Sequence, residues 1–204
     1  LNGSPSLPHV STSQKFKAVA SGGRWGAGVT DDKRIVFFGN TSMISNISMN
    51  APSLMSATSL TNVKDIKAGK DFLLVLLESG EVHGYGDNTH HPLGPTGGHI
   101  DVGGPVSKIA AGHYHSMFIM ESSALKTCGR NTEGQLIRGT DVDYGCVTES
   151  EMGSALKPAN IGDVIEFANL KRSERGFGTL QVCGGKYHTS VLTTPWGGVK
   201  VFGD

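Results

Sequence analysis

Four passages of the chain repeat one grammar, and that repetition limits the fold more than any other feature. They are Phe16 to Asn40, FKAVASGGRWGAGVTDDKRIVFFGN; Val63 to Asn88, VKDIKAGKDFLLVLLESGEVHGYGDN; Val106 to Asn131, VSKIAAGHYHSMFIMESSALKTCGRN; and Thr179 to Asp204, TLQVCGGKYHTSVLTTPWGGVKVFGD. Each holds an early and a late glycine: Gly22 and Gly39, Gly69 and Gly86, Gly112 and Gly129, Gly185 and Gly203, separated by 17, 17, 17 and 18 positions. The extra residue of copy four falls around Pro195 to Gly198. A unit that recurs in this way is one supersecondary block, which buries its apolar face by stacking on its neighbours.

Each copy reads as three strands. A short first strand ends at the early glycine, as in Ile109-Ala110-Ala111-Gly112. A tight loop leads into an apolar second strand, Phe72 to Leu77 or Met117 to Met120. A turn such as Asp31-Asp32-Lys33 or Glu78-Ser79-Gly80 follows. The third strand alternates, as in Val199-Lys200-Val201-Phe202. A strand from the variable segment between copies would complete a four-stranded blade, so the chain is expected to be an all-β propeller. The glycines are expected where backbones approach closely or φ turns positive. The residue before each late glycine (Phe38, Tyr85, Cys128, Phe202) is expected to pack between blades.

Glycine supplies 29 of 204 residues, about twice the usual share, as a fold of short strands and tight turns requires. Lys plus Arg and Asp plus Glu are each 18, so the chain is neutral and direct nucleic-acid binding is disfavoured. No apolar run approaches a membrane span. Three cysteines, Cys128, Cys146 and Cys183, make a poor disulfide framework, which points to a reducing, intracellular setting, cytoplasmic or nuclear. Cys128 and Cys183 occupy repeat positions that packing explains, and Cys146 has no counterpart.

Three segments depart from the repeat. Residues 1–15, rich in Ser and Pro, read as a mobile arm or linker, leaving 16–204 as the propeller region. Residues 41–62 read as a long loop with one edge strand. Residues 137–178 form an insertion of about 30 residues beyond the shortest inter-repeat distance. Within it, Ile161, Val164, Ile165 and Ala168 fit a short helix capped by Asn160 or an outer strand; the scarcity of helix elsewhere favours a strand or irregular segment.

The unit resembles the repeat of the regulator of chromosome condensation family. Val106 to Ser116, VSKIAAGHYHS, follows that family's opening, and Gly129-Arg130-Asn131-Thr132-Glu133-Gly134-Gln135-Leu136 follows its closing motif, with Ile137 in place of the usual last glycine. Gly86-Asp87-Asn88 with Leu93-Gly94 is a looser match, and copy four keeps Gly185-Lys186-Tyr187-His188-Thr189. The resemblance implies about four blades of an expected seven. It therefore implies a fragment of a longer propeller, whose missing blades come from absent chain or a neighbour.

The early loops fall on one face of such a propeller. Arg24, Lys70, Asp71, His113, Tyr114, Lys186 and Tyr187 sit at or beside their tips and are expected to bind protein partners. His115 and His188 share a slot with Trp25 and Phe72, so they read as structural, with a ring nitrogen bonded to backbone. No set of ligands has metal-site spacing, no cofactor motif is present, and no nucleophile has an activating base. These readings predict no enzyme but a scaffold or regulatory module that binds protein through its loop face. One alternative comes from the family's namesake, a guanine-nucleotide exchange factor for the small GTPase Ran on chromatin, with the insertion as its wedge. Another is a structural subunit of a large assembly.

Overall fold

A computed structural model of the chain describes residues 15–39, 60, 62–139, 144–161, 181–193 and 198–204. They form four antiparallel sheets, one per repeat. Blade 1 is β1 (Phe16–Ser21), β2 (Trp25–Thr30) and β3 (Ile35–Gly39). Blade 2 is β4 (Val63–Ala68), β5 (Phe72–Leu77), β6 (Val82–Gly86) and β7 (Gly98–His99). Blade 3 is β8 (Val106–Ala111), β9 (His115–Met120), β10 (Leu125–Arg130) and β11 (Tyr144–Gly145). Blade 4 is β12 (Gln181–Gly184), β13 (His188–Thr193) and β14 (Gly198–Gly203). In blades 2 and 3 the fourth strand comes from the variable segment, as expected. The first strands line up in order, β1 against β4, β4 against β8, and β8 against β12, which makes the four blades a consecutive arc.

The local sequence explains these elements. The third residue of each described hairpin turn has positive φ: Lys33 at 61°, Gly80 at 86° and Ser123 at 70°. A bulge follows the first residue of β1, β4 and β8, at Phe16/Ala18, Val63/Asp65 and Val106/Lys108. β5 is apolar throughout because both its faces are buried. Phe72, Leu74 and Leu76 pack with Val106, Ile109, Phe118 and Met120 of blade 3. Leu73, Val75 and Leu77 pack with Trp25, Ala27, Val29 and Phe37 of blade 1. Adjacent residues of one strand thus serve two inter-blade cores. A third core joins Met117, Ile119 and Leu125 of blade 3 to Val191 of blade 4.

The glycines divide into two classes, which refines the sequence reading. The late ones, Gly39, Gly86, Gly129 and Gly203, have φ of +83°, +115°, +117° and +96°, and each lies against the carbonyl that starts the early loop's return. The early ones need no positive φ. A Cβ on Gly22, Gly69, Gly112 or Gly185 would strike the ring of the residue three places on: Trp25, Phe72, His115 or His188.

The described half of the insertion packs inward. It supplies β11 and two single-turn 3-10 helices, Glu149–Glu151 and Gly153–Ala155. Met152 and Leu156 enter the core between blades 2 and 3, and Ala159 and Ile161 enter the next. The amides of Ala159 and Asn160 donate to the carbonyls of Leu125 and Ile137. This part is bound along blade 3 instead of projecting as a wedge. The helix-or-strand choice beyond Ile161, the arm before residue 15 and the loop at 41–59 lie outside the described residues.

Two expectations are corrected. Cys128 and Cys146 form a disulfide, Cα to Cα 5.4 Å. Spacing could not show this, because β11 belongs to no repeat. Its register, Gly129 opposite Gly145 and Arg130 opposite Tyr144, is what sets the two cysteines side by side. Three cysteines are therefore one bonded pair and one exposed thiol, Cys183. Their number alone is no argument for a reducing compartment. Second, the ring nitrogen of His115 bonds to the hydroxyl of Thr189 at 2.8 Å, across to blade 4, and not to backbone.

Candidate partner-binding face

Backbone hydrogen bonds tie the early loops to one another. The Gly23 amide donates to the Lys70 carbonyl at 2.7 Å, the Lys70 amide to His113 at 3.1 Å, and the His113 amide to Gly185 at 2.9 Å. Trp25 Nε1 adds a bond to the Lys70 carbonyl at 3.0 Å. Loop tips usually move independently. Here each is held by the next blade, so side chains on different repeats keep fixed relations.

That ladder brings six of the seven predicted face residues together. Tyr114 and Tyr187 stack with ring centres 6.5 Å apart. Lys70 lies 5.6 Å from the Tyr114 ring and Lys186 lies 4.6 Å from the Tyr187 ring. His113 meets Tyr114 edge-on at 5.2 Å. Asp71 lies beside Lys70, carboxylate to ammonium 3.7 Å. Arg24 is exposed on the blade 1 loop, where it borders a depression with Val19, Trp25 and Phe38.

The sequence reading missed two members. Arg130 sits 5.8 Å from the Tyr114 ring and 4.8 Å from the Tyr187 ring. Its Nη2 pairs with Glu133 at 2.9 Å and its Nε donates to Thr132 at 2.7 Å. His90 meets Tyr114 edge-on at 4.8 Å. Arg130 directly follows the late glycine, and Gly129's positive φ turns the chain back towards the early loop. The Arg130 amide accordingly donates to the Tyr114 carbonyl at 3.0 Å. A search for sites among early-loop residues alone passes over it.

The cluster is electropositive in its effect on its own members. Burial first, then Arg130, holds His90 below the ordinary histidine pKa. Burial, then Lys186 and Lys70, does the same for His113. A hydrogen bond with Lys186 holds the Tyr187 phenol below its usual value. Cations packed on aromatic faces present apolar area and ammonium groups together, a composition suited to anchoring a protein surface that carries carboxylates.

The two histidines of the structural slot lie below this face. The Thr189 hydroxyl donates its one proton to the Gln135 carbonyl at 2.8 Å, so the His115 Nε2 must donate to Thr189. Nε2 of His115 therefore carries a proton. Burial, and secondarily His188, lowers its pKa to about 4. The closing motif is structural too. The Asn131 side-chain oxygen accepts from the Leu136 amide, and Asn88 does the same for Leu93, both at 3.0 Å.

Four sheets of one repeat, stacked as an arc around their first strands, define a β-propeller protein. Residues 63–91 and 106–135 match the family model described as the regulator of chromosome condensation (RCC1) repeat. Solved structures share the fold. Human WBSCR16 is 18% identical with a TM-score of 0.68, over 96% of this chain and 50% of that one. Prp20p from Saccharomyces cerevisiae is 17% identical with a TM-score of 0.69, over 97% and 47%. Yeast RCC1 (Prp20) bound to Kap60 is 16% identical with a TM-score of 0.69, over 97% and 45%. The chain spans about half the length of these proteins. No curated protein sequence matches significantly. Among the described residues, no helix is long and apolar enough to cross a membrane.

The expectation that the chain is no enzyme is corrected by this likeness. Its fold is that of Prp20p, the yeast RCC1, a protein described with its binding properties to Gsp1p and histones. Nucleotide exchange breaks no covalent bond. It is catalysed by binding one state of a partner better than another. The lack of a nucleophile or metal-site spacing was therefore no ground for excluding it.

Proposed function

We propose that the chain is the partner-docking arc of an RCC1-type propeller that engages a Ran-like small GTPase through its early-loop face and promotes release of the bound nucleotide. The observation that carries this reading is the Tyr114–Arg130–Tyr187 cluster, flanked by Lys70 and Lys186 and fixed by backbone bonds between blades. A rigid face loses little conformational freedom on docking, so its binding energy can favour one state of a partner. The fold likeness to Prp20p, whose reported binding covers Gsp1p and histones, supports a protein as the ligand. The same likeness supports an intracellular, nuclear setting. The chain's zero net charge gives direct nucleic-acid contact no support.

The test is nucleotide release from a Ran-type GTPase loaded with fluorescent GDP. The reading predicts acceleration that saturates with the concentration of this chain and is lost in Tyr187→Ala. Binding without acceleration would remove the exchange step, and the absence of both would overturn the proposal.

A further inference from the structure

The disulfide that ties the insertion to blade 3 has an unusual neighbour. Cys128 on β10 and Cys146 just after β11 are both fully buried. The Arg138 guanidinium folds across Gly145, places Nη2 3.2 Å from the Cys146 sulfur and donates to the Thr127 carbonyl. Its Nε is buried with no hydrogen-bond partner among the described residues. Glu151, a carboxylate acting on it, is engaged by the amides of Val147 and Thr148 at 2.6 and 2.9 Å. A neutral disulfide offers this cation no counter-charge, whereas a thiolate at Cys146 would supply it. The Cys146 backbone also sits at φ +65°, a conformation unfavourable for a residue with a Cβ.

We propose that Cys128–Cys146 is a thiol–disulfide site in which Arg138 stabilises the Cys146 thiolate. The co-reactant is a dithiol. One of its thiolates attacks the Cys128 sulfur, the S–S bond breaks, and Cys146 leaves as the thiolate beside Arg138. The second thiol of the reductant then displaces Cys128, which takes a proton. The reductant ends as a cyclic disulfide, and two electrons have passed to the protein. Access is gained by lifting β11, which holds β10 by only two register pairs. The site thus opens under reducing conditions and closes under oxidising ones, freeing or fixing the strand opposite Arg130.

The experiment is a redox titration of the full chain in dithiothreitol of graded oxidation, quenched by alkylation and read by mass. Cys183 is exposed and labels in both states, an internal standard. Arg138→Gln is expected to need about tenfold more reductant for half-opening, because the thiolate loses its cation. An unchanged midpoint, or free thiols at Cys128 and Cys146 under oxidising conditions, would overturn the proposal. Should the variant not fold, the natural chain still decides the matter. In its reduced form, peptide-resolved alkylation of Cys146 is expected to reach half its maximum well below the ordinary thiol pKa of about 8.5. Half-reaction at or above that value would contradict it.

Discussion

At the residue scale, the link between blades 3 and 4 is a hydrogen-bond relay with no slack. Thr189 both accepts from His115 and donates to the Gln135 carbonyl. Thr189→Val keeps the shape and removes both bonds, leaving a buried N–H and a carbonyl unpaired. The expected loss is about 2–4 kcal/mol in denaturant titration, from two unmet groups; a loss under 0.5 kcal/mol would contradict the relay. His115 also sets a pH dependence. Its folded pKa of about 4 lies below the ordinary histidine value of 6.5, so the unfolded chain takes up a proton first as pH falls. Stability is full above 6.5, falls between 6.5 and about 4, and then levels, by up to about 3 kcal/mol from this group. His115→Phe, which follows Phe72 of copy two, should flatten that segment of the profile. The early glycines make a different prediction. In an ordinary strand Gly→Ala stabilises by tenths of a kcal/mol. Gly69→Ala should instead destabilise by about 1–3 kcal/mol because the Phe72 ring occupies the space. Adding Phe72→Leu should recover part of the loss. The recurring glycines and the ring three places on were visible as a pattern in the sequence. Their contact was not, since the pattern gives positions without the rotamer that lays the ring back over the glycine.

At the element scale, β5 shows why a run of six apolar residues is a strand with two cores. Leu73 and Leu74 are adjacent and equally buried, yet face blades 1 and 3. Either truncation to Ala should cost about 2–5 kcal/mol. A large cost at one and almost none at the other would mean that only one face is packed. Strand order within each blade was legible, because the hairpin turns and alternation carry it. The role of 144–161 was not. Nothing in Cys146, Met152 or Leu156 marks them for a core until β11 pairs with β10 and brings them there. Arg130 was hidden for a related reason. It belongs to the closing motif in sequence and to the opening loop in space.

At the scale of the whole molecule, the arc has two ends. Val19 on β1 is 75% exposed, and Val199 and Val201 on β14 are 66% and 61% exposed. Sheet surfaces of this kind are sticky in isolation. The 204-residue chain alone should associate in a concentration-dependent way, and Val199→Lys/Val201→Lys should reduce this in sedimentation. Unchanged monomers at all concentrations would argue against it. The loop face is the other whole-molecule property, since no single repeat contains it. The most direct measurement of its role is titration calorimetry of the chain against a nucleotide-free Ran-type GTPase, beside Lys70→Glu/Lys186→Glu. Both lysines are exposed, so the double variant should fold as the natural chain does. The account predicts saturable binding by the natural chain and at least a tenfold weaker affinity in the variant, with unchanged melting. Equal affinity in the two proteins, or no binding by either, would contradict it.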